Sequence, residues 1–168
     1  MRESRIQRTE RIGPMVSNIA VRNAREQDIP ALTDFNIAMA RETEDKILSP
    51  VKVRAGMRAV IRHPDHGFYL VAELNGQVAG SLLVTREWSD WRNGVFWWIQ
   101  SVYVPLEFRK RGIYRALYDA VKARAESSPE VCGFRLYVER NNRGARSVYS
   151  KLGMSETEYR IYEETLWE

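Results

Sequence analysis

The chain has 168 residues, 44% of them hydrophobic and 29% charged, a length and balance suited to one globular domain with a single core. No stretch approaches the roughly 20 consecutive apolar residues of a membrane span, and the Arg-rich N-terminus lacks the apolar run of a secretory signal, so a cytoplasmic protein without membrane contact is expected. The single cysteine, Cys132, leaves no disulfide or cysteine metal site within one chain, and its apolar neighbours predict a buried, inert thiol. The net charge of +4 favours an anionic ligand without separating a nucleotide cofactor from nucleic acid.

Residues 1–17 carry Arg2, Arg5, Arg8 and Arg11 with no sustained apolar period, which predicts a flexible tail; residues 18–168 are expected to form one domain. Residues 19–22 read as a first strand. Asp28-Ile29-Pro30 offers an N-cap and a proline suited to a first helical turn, and Leu32, Phe35 and Met39 then recur at helical spacing. A polar linker over 41–49 leads to a second helix after Pro50, with Val53, Met57, Val60 and Ile61 on one face. His63 and His66 flank a Pro-Asp turn and read as loop residues, since no third metal ligand is evident.

Residues 68–73 and 77–85, separated by Asn75-Gly76, predict a hairpin. A second pair, Asn93-Gly94, launches a strand over 95–104 that is apolar at almost every position except Gln100 and Ser101, as in a strand covered on both faces. From Gly112 onward Ile113, Ala116, Leu117, Ala120 and Val121 mark one face of a helix that stops near Ser127-Ser128-Pro129. A strand over 133–138 follows, then a helix bearing Ala145, Val148, Tyr149 and Leu152 and closed by Gly153. The alternation of Thr157, Tyr159 and Ile161 predicts a final strand. This order fits a mixed α/β (α+β) fold with helices on both faces of the sheet, whose ligands favour the C-terminal ends of central strands.

The link from the central strand into the third helix carries the clearest chemistry. Arg109, Lys110, Arg111 and Arg115 surround Gly112 at a helix start, where backbone N–H groups point outward, the helix dipole is positive, and glycine lets the backbone approach a phosphate. No Gly-Lys-Ser/Thr follows, so it is not a Walker turn, and the further glycines of a dinucleotide turn are missing.

Arg109-x-x-Gly112-x-Tyr114 resembles the cofactor motif of the GNAT superfamily of acyl-CoA-dependent N-acetyltransferases, Arg/Gln-x-x-Gly-x-Gly/Ala, departing from it at Tyr114. Asn142-x-x-Ala145-x-x-x-Tyr149-x-x-x-Gly153-Met154 is similar to the family's downstream helix and its exit. The resemblance covers about residues 18–163. It implies a six- to seven-stranded mixed sheet, splayed between its two central strands, with about four helices. It also implies acetyl-CoA as co-substrate, bound by Val102, Tyr103 and Val104 along the strand, by Arg109, Lys110, Arg111, Gly112, Ile113, Tyr114 and Arg115 in the turn, and by Asn142 and Tyr149.

By the same resemblance the Val102 backbone N–H serves the oxyanion and Tyr149 is the general acid; both Tyr149 as a core tyrosine and Asn142 as an N-cap are alternative readings of those residues. Many relatives carry a Glu where this chain has Gln100, and an amide cannot take a proton. The base is therefore a water chain or another carboxylate: Glu42, Glu44, Asp45, Glu73 or Glu139, with Glu139 singled out. The acceptor side is expected from Glu42, Glu44, Trp88, Trp91 and Gln100, aromatic walls and acids suiting a cationic amine; the tryptophans could equally pack the hairpin or a dimer contact. Trp97 and Trp98 alternate, so that one can face the cleft while the other is core. The expected activity is acetyl transfer to a primary amine of a small molecule or peptide. A non-catalytic acyl-CoA-binding or regulatory domain is the alternative, and a nucleic-acid partner lacks a supporting motif. A homodimer is among the expectations, because dimers are frequent in similar proteins.

Overall fold

The computed structural model describes residues 18–166; the tail expected over 1–17 lies outside the described residues. The chain divides into two compact units, Met1–Arg135 and Leu136–Glu168.

In the first unit the described strands are β1 (Ile19–Asn23), β2 (Phe68–Leu74), β3 (Gln77–Ser89), β4 (Gly94–Tyr103) and β5 (Val131–Arg135). They form one five-stranded sheet in sequence order. β1 to β4 pair antiparallel, and β5 joins β4 in parallel. The Asn75-Gly76 turn forms the expected hairpin, with both residues at positive φ, and Asn93, also at positive φ, ends a four-residue turn from which Gly94 starts β4.

Helix α1 (Ile29–Glu44) starts beside Pro30, as its sequence predicts, but it continues through 41–44, where a linker was expected. The apolar period ends at Met39, yet exposed polar side chains do not stop a helix; Asp45 does, by turning left-handed at φ 51°. Helix α2 (Pro50–Arg62) is capped by Ser49, whose hydroxyl accepts from the Lys52 N–H. Helix α3 (Ile113–Glu126) closes the helical set of this unit among the described residues.

Residue alternation assigns the sheet's two faces. Tyr69 and Val71 of β2 pack with Leu32 of α1 and Met57 of α2, flanked by Val53, Val60, Val78 and Leu83. On the opposite face Phe68, Trp97 and Phe134 form a chain of ring contacts at 5.3 and 6.5 Å that reaches Tyr118 of α3 at 6.1 Å. Trp97 is thus core. Gly80 has no room for a side chain, since a Cβ there would stand 2.7 Å from Ile113 Cγ2, and this lets the start of α3 seat against β3.

The second unit holds α4 (Arg143–Lys151), capped by the Asn142 side chain, which accepts from the Ala145 N–H at 3.0 Å. The helix closes with the Met154 N–H on the Tyr149 carbonyl and Gly153 at φ 88°. Two expectations are corrected. Residues 155–166 contain no strand, so the described sheet has five strands rather than six or seven: Tyr159, Ile161 and Tyr162 are exposed, and a period of two makes a strand only where a partner buries one face. Cys132 is exposed rather than buried; among the described residues its strand, β5, lies at the edge of the sheet and pairs with β4 alone.

Candidate functional site

Strand β4 is irregular where its apolar run is broken. Leu83 pairs with Gln100 and Ser81 with Tyr103, so β4 carries one more residue than β3 over that stretch. This is a β-bulge. Ser101 takes φ 48°, a left-handed conformation that costs a non-glycine residue about 1–3 kcal/mol unless its surroundings hold it. Its side chain hydrogen-bonds the buried Tyr69. The bulge shifts the alternation so that Gln100 and Tyr103, the partners of Leu83 and Ser81, share the α1 side of the sheet.

The parallel ladder with β5 ends at Trp98 opposite Arg135, while β4 runs on to Tyr103. Within the described sheet the last residues of β4, Val102 and Tyr103 among them, therefore extend past β5.

Beyond β4, Pro105 leads through a short turn at Leu106–Phe108 to Arg109. Lys110 (φ 61°) and Gly112 (φ 84°) are both left-handed, with Arg111 between them. Backbone reversals of this kind turn successive N–H groups toward one side and create a concavity for an anion. The ladder of α3 opens with the Ala116 N–H on the Gly112 carbonyl at 3.0 Å, so the first turn of the helix, beginning at Ile113 and Tyr114, presents its amides at the same place. A Cβ at Gly112 would meet only Ile19 Cδ1, at 4.0 Å. The position is open to a ligand, and its φ is what demands glycine.

Charged side chains ring the turn. Arg111 stacks over Phe108 at 6.0 Å, Arg115 pairs with Asp119 at 3.2 Å, and Lys110 is exposed. Arg109 is more committed: its Nε donates to the Val104 carbonyl at 2.8 Å and its Nη2 to Glu42 Oε2 at 2.6 Å. The Tyr103 hydroxyl donates to the other Glu42 oxygen, also at 2.6 Å. These donors hold the Glu42 carboxyl below the usual range, Tyr103 first and Arg109 second, which weakens it as a base. Burial, and then the bond to Glu42, push the Tyr103 hydroxyl up to about 12.

The other expected site residues are spread more widely. Glu44 pairs with Lys46 at 2.6 Å on the surface. The Gln100 amide donates to Thr85 Oγ1. Trp88 and Trp91 are 60% and 87% exposed at the β3–β4 tip, whose position opposite Val95 lies roughly 25 Å along β4 from Tyr103. Trp98 donates to Glu87, which also accepts from Arg135 at 2.7 Å. Glu73 is held by Arg22 at 2.6 Å. In the second unit Glu139 accepts from the Asn141 N–H at 2.7 Å, and burial pushes the Tyr149 hydroxyl up. Sequence reasoning missed Ser101 and the Tyr69 bond that fixes it. Their signal was the polar Gln100-Ser101 pair interrupting an apolar strand.

The bulged β4 thus overruns its parallel neighbour and feeds a basic helix start. The sequence profile of the acetyltransferase (GNAT) family matches residues 32–154, and the chain belongs to that family. It is similar to a possible acetyltransferase from Clostridium difficile 630, with 38% identity, a TM-score of 0.81, and coverage of 89% of this chain and 99% of that one. More distant in sequence is a predicted acetyltransferase from Clostridium acetobutylicum, solved with acetyl-CoA, with 18% identity and a TM-score of 0.70 over 88% of this chain and 96% of that one. The aminoglycoside N-acetyltransferase AAC(6')-Iy, solved with CoA, has 17% identity and a TM-score of 0.70 over 93% of this chain and 100% of that one. No curated protein matches the sequence. The family uses acetyl-CoA, and the open, left-handed turn at Lys110–Gly112 fits a pyrophosphate. Among the described residues no helix is long and apolar enough to cross a membrane.

Proposed function

We propose that this chain transfers the acetyl group of acetyl-CoA to a primary amine of a small molecule or peptide, in the cytoplasm and as a single GNAT domain over residues 18–168. The observation that carries the reading is the turn of Lys110, Arg111 and Gly112, left-handed at both ends and opening α3 directly after the bulged β4.

In this reading the backbone from Arg109 to Arg115, with the Arg109, Arg111 and Arg115 guanidinium groups, holds the pyrophosphate of acetyl-CoA. Tyr103, Val104 and Asn142 contact its pantetheine arm. The acyl thioester supplies the activated carbonyl. The Val102 N–H stabilises negative charge developing on the carbonyl oxygen as the amine nitrogen attacks carbon. The carbon–nitrogen bond forms, the carbon–sulfur bond breaks, and Tyr149 gives its proton to the departing sulfur. A tyrosine hydroxyl, with an ordinary pKa of about 10, carries its proton at neutral pH. The proton leaving the nitrogen goes to Glu139 or through water. Glu44, Gln100, Trp88 and Trp91 serve acceptor recognition, and the aminoglycoside acetyltransferase among the structural neighbours supports a polar amine as acceptor.

A second reading, a domain that binds acyl-CoA without turnover, is favoured by Gln100, which stands where many relatives have a basic carboxylate. Release of free thiol from acetyl-CoA across a panel of amines separates the two. The enzyme reading expects amine-dependent release, lowered about 100-fold in Tyr149→Phe with acetyl-CoA binding kept. Unchanged turnover in that variant would refute the assigned acid, and binding without release for every amine would favour the second reading.

A further inference from the structure

We propose that Glu42 is a positioning residue for the cofactor turn, fixing Arg109 and Tyr103 from the end of α1. The inference rests on the reading that this turn holds acetyl-CoA. Sequence analysis set Glu42 and Arg109 on opposite sides of the reaction; the structure bonds them directly. Each carboxylate oxygen has its own donor, Tyr103 Oη on Oε1 and Arg109 Nη2 on Oε2. Arg109 is held a second time through its Nε on the Val104 carbonyl, and its guanidinium stands 5.7 Å over the Tyr103 ring. That ring in turn packs at 5.5 Å against Phe35, farther back on α1. The last turn of α1, the exit of β4 and the first residue of the motif thus form one closed set of contacts.

The chemistry of the set points to orientation rather than acceptor binding. A guanidinium carries five N–H donors, and the bonds to Glu42 and Val104 use Nη2 and Nε, so the Nη1 donors are not consumed by this network. A guanidinium already fixed in place loses less rotamer freedom when a phosphate docks. Glu42, by contrast, already has a strong donor on each oxygen, and the Arg109 guanidinium balances its charge, which lowers its attraction for an acceptor ammonium.

The test is a titration of acetyl-CoA into wild type, Glu42→Gln, Glu42→Ala, Arg109→Ala and the double variant Glu42→Ala/Arg109→Ala, with Tm measured for each. Both Glu42 variants are expected to weaken acetyl-CoA binding by about 3- to 10-fold, and the double variant to bind no more weakly than Arg109→Ala alone, as coupled residues do. Tm should stay near the wild-type value in Glu42→Gln, which keeps the side chain's shape. With an acceptor in hand, the KM for acetyl-CoA should rise while kcat and the acceptor KM hold. Additive losses, or a raised acceptor KM with unchanged acetyl-CoA affinity, would overturn the proposal alone. Failure of the wild type to bind acetyl-CoA would overturn the functional reading and this proposal with it.

Discussion

Asp28 shows how one side chain can be legible in type and not in role. Its sequence context reads as an N-cap for α1, but its carboxylate makes no cap bond to that helix. It accepts from both Arg22 Nη atoms, at 2.7 and 2.9 Å, and from the Arg25 N–H at 2.7 Å. Arg22 first, then the Arg25 N–H, outweigh the opposing cost of burial and depress its pKa. A carboxylate depressed in the folded state contributes stability that is present above its unfolded pKa of about 4 and lost as pH falls through the folded value. Asp28→Asn should therefore cost about 2 kcal/mol at neutral pH, with the gap closing below about pH 4. Urea unfolding across that range measures it; a gap that persists unchanged into acid would contradict the assignment. Ser101 is the other residue whose meaning came only with the structure, since no residue type announces a left-handed bulge.

At the scale of elements, the strong signals were local. The Asn75-Gly76 hairpin, the apolar β4 and the glycine opening α3 could be read because each depends on neighbours in sequence. What escaped depends on distant partners. The extension of α1 through Glu44, which brings Glu42 onto Arg109, has no apolar marker, because those side chains face solvent and polar groups. The final strand failed for the opposite reason: the alternation of Thr157, Tyr159 and Ile161 is present, but those residues are exposed. The entry to α3 makes the most direct prediction. Gly112→Ala keeps ample space but forces an L side chain to φ 84°, which should cost about 1–2 kcal/mol of stability. Acetyl-CoA affinity should fall more steeply than in a stability-matched variant elsewhere on α3. Equal losses at both places would mean that the turn conformation has no part in binding.

For the whole molecule, sequence motifs reached the family and the place of the turn, and the match over residues 32–154 agrees with them. They did not reach the wiring around the turn. Arg109, read as a phosphate ligand, is also held to Glu42 and Val104, and Trp88 and Trp91 stand at the other end of β4. Selectivity for an acceptor is a property of such three-dimensional arrangements, which composition and spacing do not encode. The central claim is that the turn after β4 holds the cofactor. Calorimetric titration of acetyl-CoA into the wild type and into Arg111→Ala/Arg115→Ala at one salt concentration tests it most directly. The account predicts one-to-one binding by the wild type, weakened at least about tenfold in the variant, since each charge-assisted bond contributes about 1.5–3 kcal/mol. No binding by the wild type, or equal affinity in the variant, would contradict it.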